Sequence, residues 1–350
     1  MNFEEFVNRI KESIRDYLPR EYENAEVLVQ EQQKLNNRYT GLLVLREGGT
    51  MTPTVNMEQL FDYYNAYPEM SIYDVMEKIS AIIQRDQPGL NIGSIFQYDQ
   101  AKEKLFMRVS SAEKNQELLQ NVPYELKEDL AITFHLAVDL GEEGLASTMI
   151  TNNIMEQYGI TKEQLYQDAL VSSPKVLPAT VENMDKLLRR MMLDDMKASG
   201  MGAEELKAME EEMDQMISAN PNPMTVVSNE QTVDGASALF YPGMLDQIGE
   251  SMKGDYFILP SSINEVIVVP DDGSLDHKEL KEMVNEINHT QVAPEERLTD
   301  EVYHYDTKER VFEKADRFQQ RKLDQAIDGV KDAVKERLQT PKHKATEISL

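Results

Sequence analysis

Two periods of apolar residues run along this chain, and they divide it into strands and helices. Over 130–139, Leu130, Ile132, Phe134, Leu136 and Val138 fall on one side while Thr133 and His135 fall on the other, the alternation of a strand. His135 is there either a solvent-side residue or a satisfied polar group. Further strands are predicted at 26–32, 38–46, 105–109, 146–151, 224–228, 236–241, 256–259, 266–269 and 302–305. Helical spacing appears at Val75, Ile79, Ile82 and Ile83, and again at Leu280, Met283, Val284 and Ile287. A third stripe, Phe312, Ala315, Phe318, Ile327, Val330, Val334 and Leu338, predicts a long helix over 311–338.

Punctuation residues sharpen these elements. Asn2 with Glu5, Ser71 with Asp74, and Thr161 with Gln164 have capping-box spacing, and Asp276 stands three residues before Glu279. Ser110–Glu113 is expected to cap a short helix between two strands, and the helix after Thr161 is expected to end near Ser172. Residues 180–220 differ in character: they hold eight of the 20 methionines. One helical stripe there runs through Val181, Met184, Leu188 and Met191, widened by Leu187 and Met192. A second runs through Leu206, Met209, Met213, Met216 and Ile217, after the break Ala198–Gly202. Methionine fills irregular gaps and adapts to varied partners, so the hairpin reads either as a packed insertion or as an apolar groove. Asn220–Pro223 reads as a linker back to the strands.

The expected fold is α+β: a mixed sheet of strand–helix–strand–strand blocks with helices packed on it, a Met-rich helical insertion, and a long C-terminal helix. Three segments are expected. A helix-flanked hairpin region occupies 1–92, the main domain 93–307, and a C-terminal amphipathic helix with a polar tail 308–350.

Composition narrows the chemistry. The 350 residues include no cysteine, which excludes disulfides, thiolate nucleophiles and cysteine-held metals. The formal charge of −27 is unevenly spread. Residues 308–350 hold 11 of the 36 basic and 8 of the 63 acidic residues, leaving 25 and 55 in 1–307, a balance of −30. Such a body repels nucleic-acid phosphates and anionic membranes and favours a protein partner with a basic surface. No run of about 18 uncharged apolar residues is present, so no membrane contact is expected, and no signal peptide is expected in the amphipathic, charged opening residues. A cytoplasmic location is therefore expected. His277, His289 and His304 lack the helical i, i+4 pairing of zinc sites, and no glycine loop suited to phosphate appears, so neither metal nor cofactor is expected.

Ser261, Ser262, Asn264 and Glu265 concentrate two hydroxyls, an amide and a carboxylate between two predicted strands, which makes them the candidate ligand- or partner-binding residues. The same residue types are ordinary turn formers. No Gly-x-Ser-x-Gly elbow surrounds Ser261, and no residue is assigned a catalytic role.

The patterns GASALFYPGML, YFILPSSINEVIVVPDDG and LKEMVNEINHTQVAPEERLTDEVYHYD resemble a family of uncharacterised proteins from gut Firmicutes, catalogued as a domain of unknown function and often found on mobile elements. NFEEFVNRIKESIRDYLP, VPYELKEDLAITFHL and ITKEQLYQDAL are similar to the same family, so the likeness spans about 1–307. YFILPSSINEVIVV more distantly resembles the YtpQ family. The resemblance implies no particular chemistry, and with no catalytic signature in the chain the expected function is a non-enzymatic binding or regulatory protein of a mobile element or its host. Two alternatives stand beside it: an acidic nucleic-acid mimic that inhibits a basic nucleic-acid-binding protein, and an enzyme with a polar pocket near Ser262 and Asn264. Self-association through the C-terminal helix is also open.

Overall fold

The computed structural model describes residues 1–47, 53–84, 97–141, 144–218 and 224–339. Helix α1 (Phe3–Ser13) opens on the expected capping box: Glu5 N donates to Asn2 Oδ1 at 2.9 Å, and Asn2 N to Glu5 Oε2 at 3.1 Å. Strands β1 (Glu26–Lys34) and β2 (Asn37–Leu45) form a hairpin around a two-residue turn, with Asn36 at φ 60°, a left-handed conformation that asparagine tolerates. The short β3 (Val55–Asn56) adds a third antiparallel strand. Helix α2 (Met57–Ala66) and helix α3 (Ile72–Gln84) pack with α1 against this sheet, and Ser71 and Asp74 cap α3 as expected. Phe6, Ile10, Ile14, Leu42, Val44, Met57 and Ile79 are fully enclosed there.

A second unit follows the short helix α4 (Tyr98–Ala101). Its spine is the long strand β6 (Leu130–Gly141), with β4 (Leu105–Ser111) on one side and β5 (Tyr124–Lys127) and β7 (Gly144–Met149) sharing the other. The expected capping by Ser110–Glu113 is corrected: Ser110 and Ser111 complete β4, and the short helix α5 begins only at Gln116 (Gln116–Leu119). Helices α6 (Asn152–Tyr158) and α7 (Lys162–Val176) follow, separated by Gly159 at φ 66° and the cap of Thr161. Helix α7 outruns its expected end at Ser172 because it closes the free edge of β4. Ser172 Oγ donates to Leu105 O at 2.7 Å, and Ser173 Oγ accepts from Met107 N at 3.1 Å.

The third unit is a six-stranded antiparallel sheet in the order β13-β12-β10-β11-β9-β8. Its strands are β8 (Ala179–Asn183), β9 (Thr225–Asn229), β10 (Tyr256–Leu259), β11 (Val266–Pro270), β12 (Tyr303–Asp306) and β13 (Val311–Lys314). Between β8 and β9 lie helices α8 (Met184–Ala198) and α9 (Ala203–Ser218), the Met-rich insertion; residues 220–223, read as a linker, lie outside the described residues. Helix α10 (Met244–Met252) precedes β10, helix α11 (His277–Thr290) lies between β11 and β12, and helix α12 (Ala315–Gln339) follows β13. One face of the sheet joins the β4–β6 sheet in a shared core built from Val109, Ile132, Phe134, Val227, Ile258, Val268 and Tyr303. The other face receives Leu280 and Val284 of α11 and Ala315 of α12 on Phe257 and Leu259. The α+β class thus stands, with its strands in three sheets.

Three element assignments change. Residues 236–241, expected as a strand, form a 3-10 helix (Gly235–Phe240); all six residues are buried, so the apolar run carries no period to tell the two apart. Small side chains let it pass close beneath the loop after β10, where Ala236 N donates to Ile263 O at 3.1 Å. Val181, expected to open a helical stripe, lies in β8, and Asn183 caps α8 through its side chain. Residues 311–314, expected as the first turn of the final helix, are the edge strand β13 paired with β12. Phe312 packs on the shared core there, edge-on to Phe240.

Candidate functional site

The loop between β10 and β11 brings Ser261, Ser262, Asn264 and Glu265 together, and the groups of Ser262 and Asn264 are engaged by the loop and its neighbours. Ser262 N donates to Glu265 O at 3.1 Å, Asn264 N to Ser262 Oγ at 3.0 Å, and Ser261 Oγ reaches Glu265 Oε1 at 3.5 Å. Asn264 binds three other segments. Its Oδ1 accepts from Asp234 N at 3.0 Å, its carbonyl from Ser228 Oγ at 2.7 Å, and its Nδ2 donates to Glu296 Oε1 at 3.3 Å. Gly235 is needed at this crossing, because a Cβ there would lie 2.2 Å from Ser228 Oγ and 2.4 Å from Asn264 O.

Beside the loop sits a pair that sequence reasoning missed. Asp234, buried and left-handed at φ 54°, meets Arg108 of β4 at 2.7 Å. Burial pushes the Asp234 carboxyl above its ordinary range, and the Arg108 guanidinium pulls it back. The signal was an arginine inside the apolar run LFMRVS, which a strand buried on both faces tolerates only with a partner. His135, on the same sheet, is fully enclosed with Nε2 3.0 Å from Thr133 Oγ1, and burial followed by the field of Arg108 holds it well below its ordinary pKa. It is therefore a neutral, hydrogen-bonded core residue. Among the described residues no group of three His, Asp or Glu is placed to hold a metal ion, and no helix is long and apolar enough to cross a membrane.

Helices α8 and α9 offer a different kind of surface. Gly200, at φ 86°, ends α8, and Met201 N donates back to Met196 O at 3.1 Å before α9 starts. Arg189 of α8 bridges to Glu210 at 2.5 Å and Asp214 at 3.2 Å, which ties the helices side by side. Leu193 is buried, and Leu187, Met196, Leu206, Met209 and Met213 are half-buried. Half of the expected first stripe faces outward instead: Leu188, Met191 and Met192 are 49%, 56% and 49% exposed. The basic residues of α8 are largely neutralised, Arg189 by α9, Arg190 by Glu182 at 2.6 Å and Lys197 by Asp194 at 3.1 Å. Helix α9 carries Glu204, Glu205, Glu210, Glu211, Glu212 and Asp214 against one lysine, Lys207. Exposed apolar side chains thus share one hairpin with an acidic helix.

These features define an antiparallel α+β protein with a methionine-rich helical hairpin inserted between two strands of its largest sheet. The chain belongs to a family of unknown function, DUF5688, which matches residues 3–307. No curated protein and no solved structure matches it.

Proposed function

We propose that this is a non-enzymatic, cytoplasmic binding protein, with a regulatory role in a mobile element or its host. Its partner in this reading is a basic protein segment that presents an apolar helical face. The observation that carries the reading is the outward stripe Leu188–Met191–Met192 beside the acidic helix α9. Unbranched methionines repack around varied apolar shapes, and carboxylates around them select a cationic rim. The body charge of −30 over 1–307 steers the same class of partner from a distance. The polar loop at Ser261–Glu265 supports the reading only as scaffold, since its amides and hydroxyls hold strands and the 3-10 helix together.

The test is fluorescence anisotropy with a labelled amphipathic Lys/Leu helical peptide and a scrambled peptide of the same composition. The intact chain is expected to bind the amphipathic peptide at least about tenfold more tightly, a difference of about 1.4 kcal/mol. The triple variant Leu188→Gln, Met191→Gln, Met192→Gln keeps the charge and alters only exposed side chains, so it should fold normally and lose that preference. Equal binding of both peptides would reduce the effect to bulk charge and overturn the reading.

A further inference from the structure

The N-terminal unit contains a cleft of about 460 Å³ where the β1–β2 hairpin, β3, the start of α2 and α3 meet. That volume falls within the ~300–1,000 Å³ typical of small-molecule sites. Its charge runs against the rest of the molecule. In a chain with 63 acidic and 36 basic residues, the lining includes Lys34 and Lys78 and, among the described residues, no Asp or Glu.

Neither ammonium rests on a carboxylate among the described residues. Lys78 Nζ sits 3.7 Å from the centroid of the Tyr63 ring, and Lys34 Nζ 5.2 Å from that of Tyr39. Helix α2 adds to the positive field. Asn56, its N-cap, and Gln59, in its first turn, both line the cleft, so the positive end of a ten-residue helix opens there. The acid of that first turn, Glu58, is engaged elsewhere: its carboxylate accepts from Thr40 N at 2.8 Å and from Thr40 Oγ1 at 2.8 Å. Two mobile cations and a helix N-terminus suit a doubly charged group, while the Tyr39 and Tyr63 rings with Val55, Leu60 and Ile82 form an apolar wall.

We propose that this cleft binds a small aromatic phosphate monoester. The phosphate lies between Lys34, Lys78 and the start of α2, and the ring lies against the tyrosines. On binding, each ammonium leaves its aromatic face for a phosphate oxygen, exchanging a cation–π contact for a charge-assisted hydrogen bond. Asn37 supplies an amide group at the rim for ring substituents. The site is independent of the α8–α9 hairpin and of the reading built on it.

Isothermal titration of the full chain with phenyl phosphate, inorganic phosphate and phenol tests this. Phenyl phosphate is expected to bind with a Kd of about 1 mM or tighter, and the other two at least about tenfold more weakly. The exposed-end variant Lys34→Gln, Lys78→Gln should weaken phenyl phosphate at least about tenfold with an unchanged melting temperature. A second variant, Tyr63→Leu, should weaken phenyl phosphate while leaving inorganic phosphate as it was. Absence of saturation by phenyl phosphate at about 10 mM, or its undiminished binding by the double lysine variant, would overturn the proposal.

Discussion

At the scale of single residues, His135 shows what alternation in a sequence does and does not carry. The period of two placed it correctly opposite Ile132 and Phe134 on β6, but it could not tell that both faces of this strand are covered. The same blindness hid the Arg108–Asp234 pair, whose partners lie 126 positions apart in the numbering and meet only through tertiary packing. Burial of His135 has a consequence for acid stability. Its folded pKa is held well below the ordinary value near 6.5, so the unfolded chain takes up a proton first as pH falls. The stabilisation is complete above about pH 6.5 and is lost as pH drops from there toward the depressed folded value. Urea unfolding at pH 7.5 and 5.5 should show the wild type losing up to about 1.4 kcal/mol per pH unit more than His135→Gln. Identical pH dependence in the two proteins would contradict the account of a neutral buried imidazole.

Among elements, those with their own punctuation were legible. The boxes at Asn2, Ser71 and Thr161, and the cap at Asp276, all start helices where the pattern placed them. Elements set by neighbours were not. Residues 236–241 became a 3-10 helix because the Ser228 hydroxyl and the Asn264 carbonyl close around Gly235, and β13 formed because β12 offers an open edge. The amphipathic period through Phe312 and Phe318 hides a change from strand to helix at Ala315. Helix α12 divides energetically within its second turn. Phe318 is buried and stacks on His304 with ring centroids 3.5 Å apart, and Arg321 and Lys322 reach the buried Asp306 at 3.1 and 2.9 Å. Burial alone would raise the Asp306 carboxyl, yet bonds from Lys322, the Glu309 amide and Arg321 hold it far below its ordinary range. Past that point Leu323, Ile327 and Val330 are 55%, 44% and 64% exposed. A chain ending after Asp324 should therefore keep its stability within about 0.5 kcal/mol, whereas one ending after Lys308 should lose more than about 3 kcal/mol or fail to fold. Equal urea midpoints for the two truncations would show that Phe312 and Phe318 contribute nothing to the core.

For the whole molecule, the charge and the α+β class were readable from composition and period, while the candidate surfaces were not. The loop at Ser261, Ser262, Asn264 and Glu265 drew attention by its chemistry, but turn formers and ligand groups are the same residues, and only the fold shows that Ser262 and Asn264 bind their own scaffold. The hairpin stripe was visible as a period, yet which half of it faced outward depended on how α9 lies along α8. The central claim is that this outward half receives a basic, apolar-faced segment. Its most direct test is methyl NMR of the full chain labelled at the methionine methyls, titrated with the amphipathic Lys/Leu peptide at about 0.15 M salt, where long-range attraction is screened. The account predicts shifts concentrated on Met191 and Met192, with core methyls such as Met57 and Met107 unmoved. Saturating peptide that leaves Met191 and Met192 in place, or shifts spread evenly over the molecule, would contradict it.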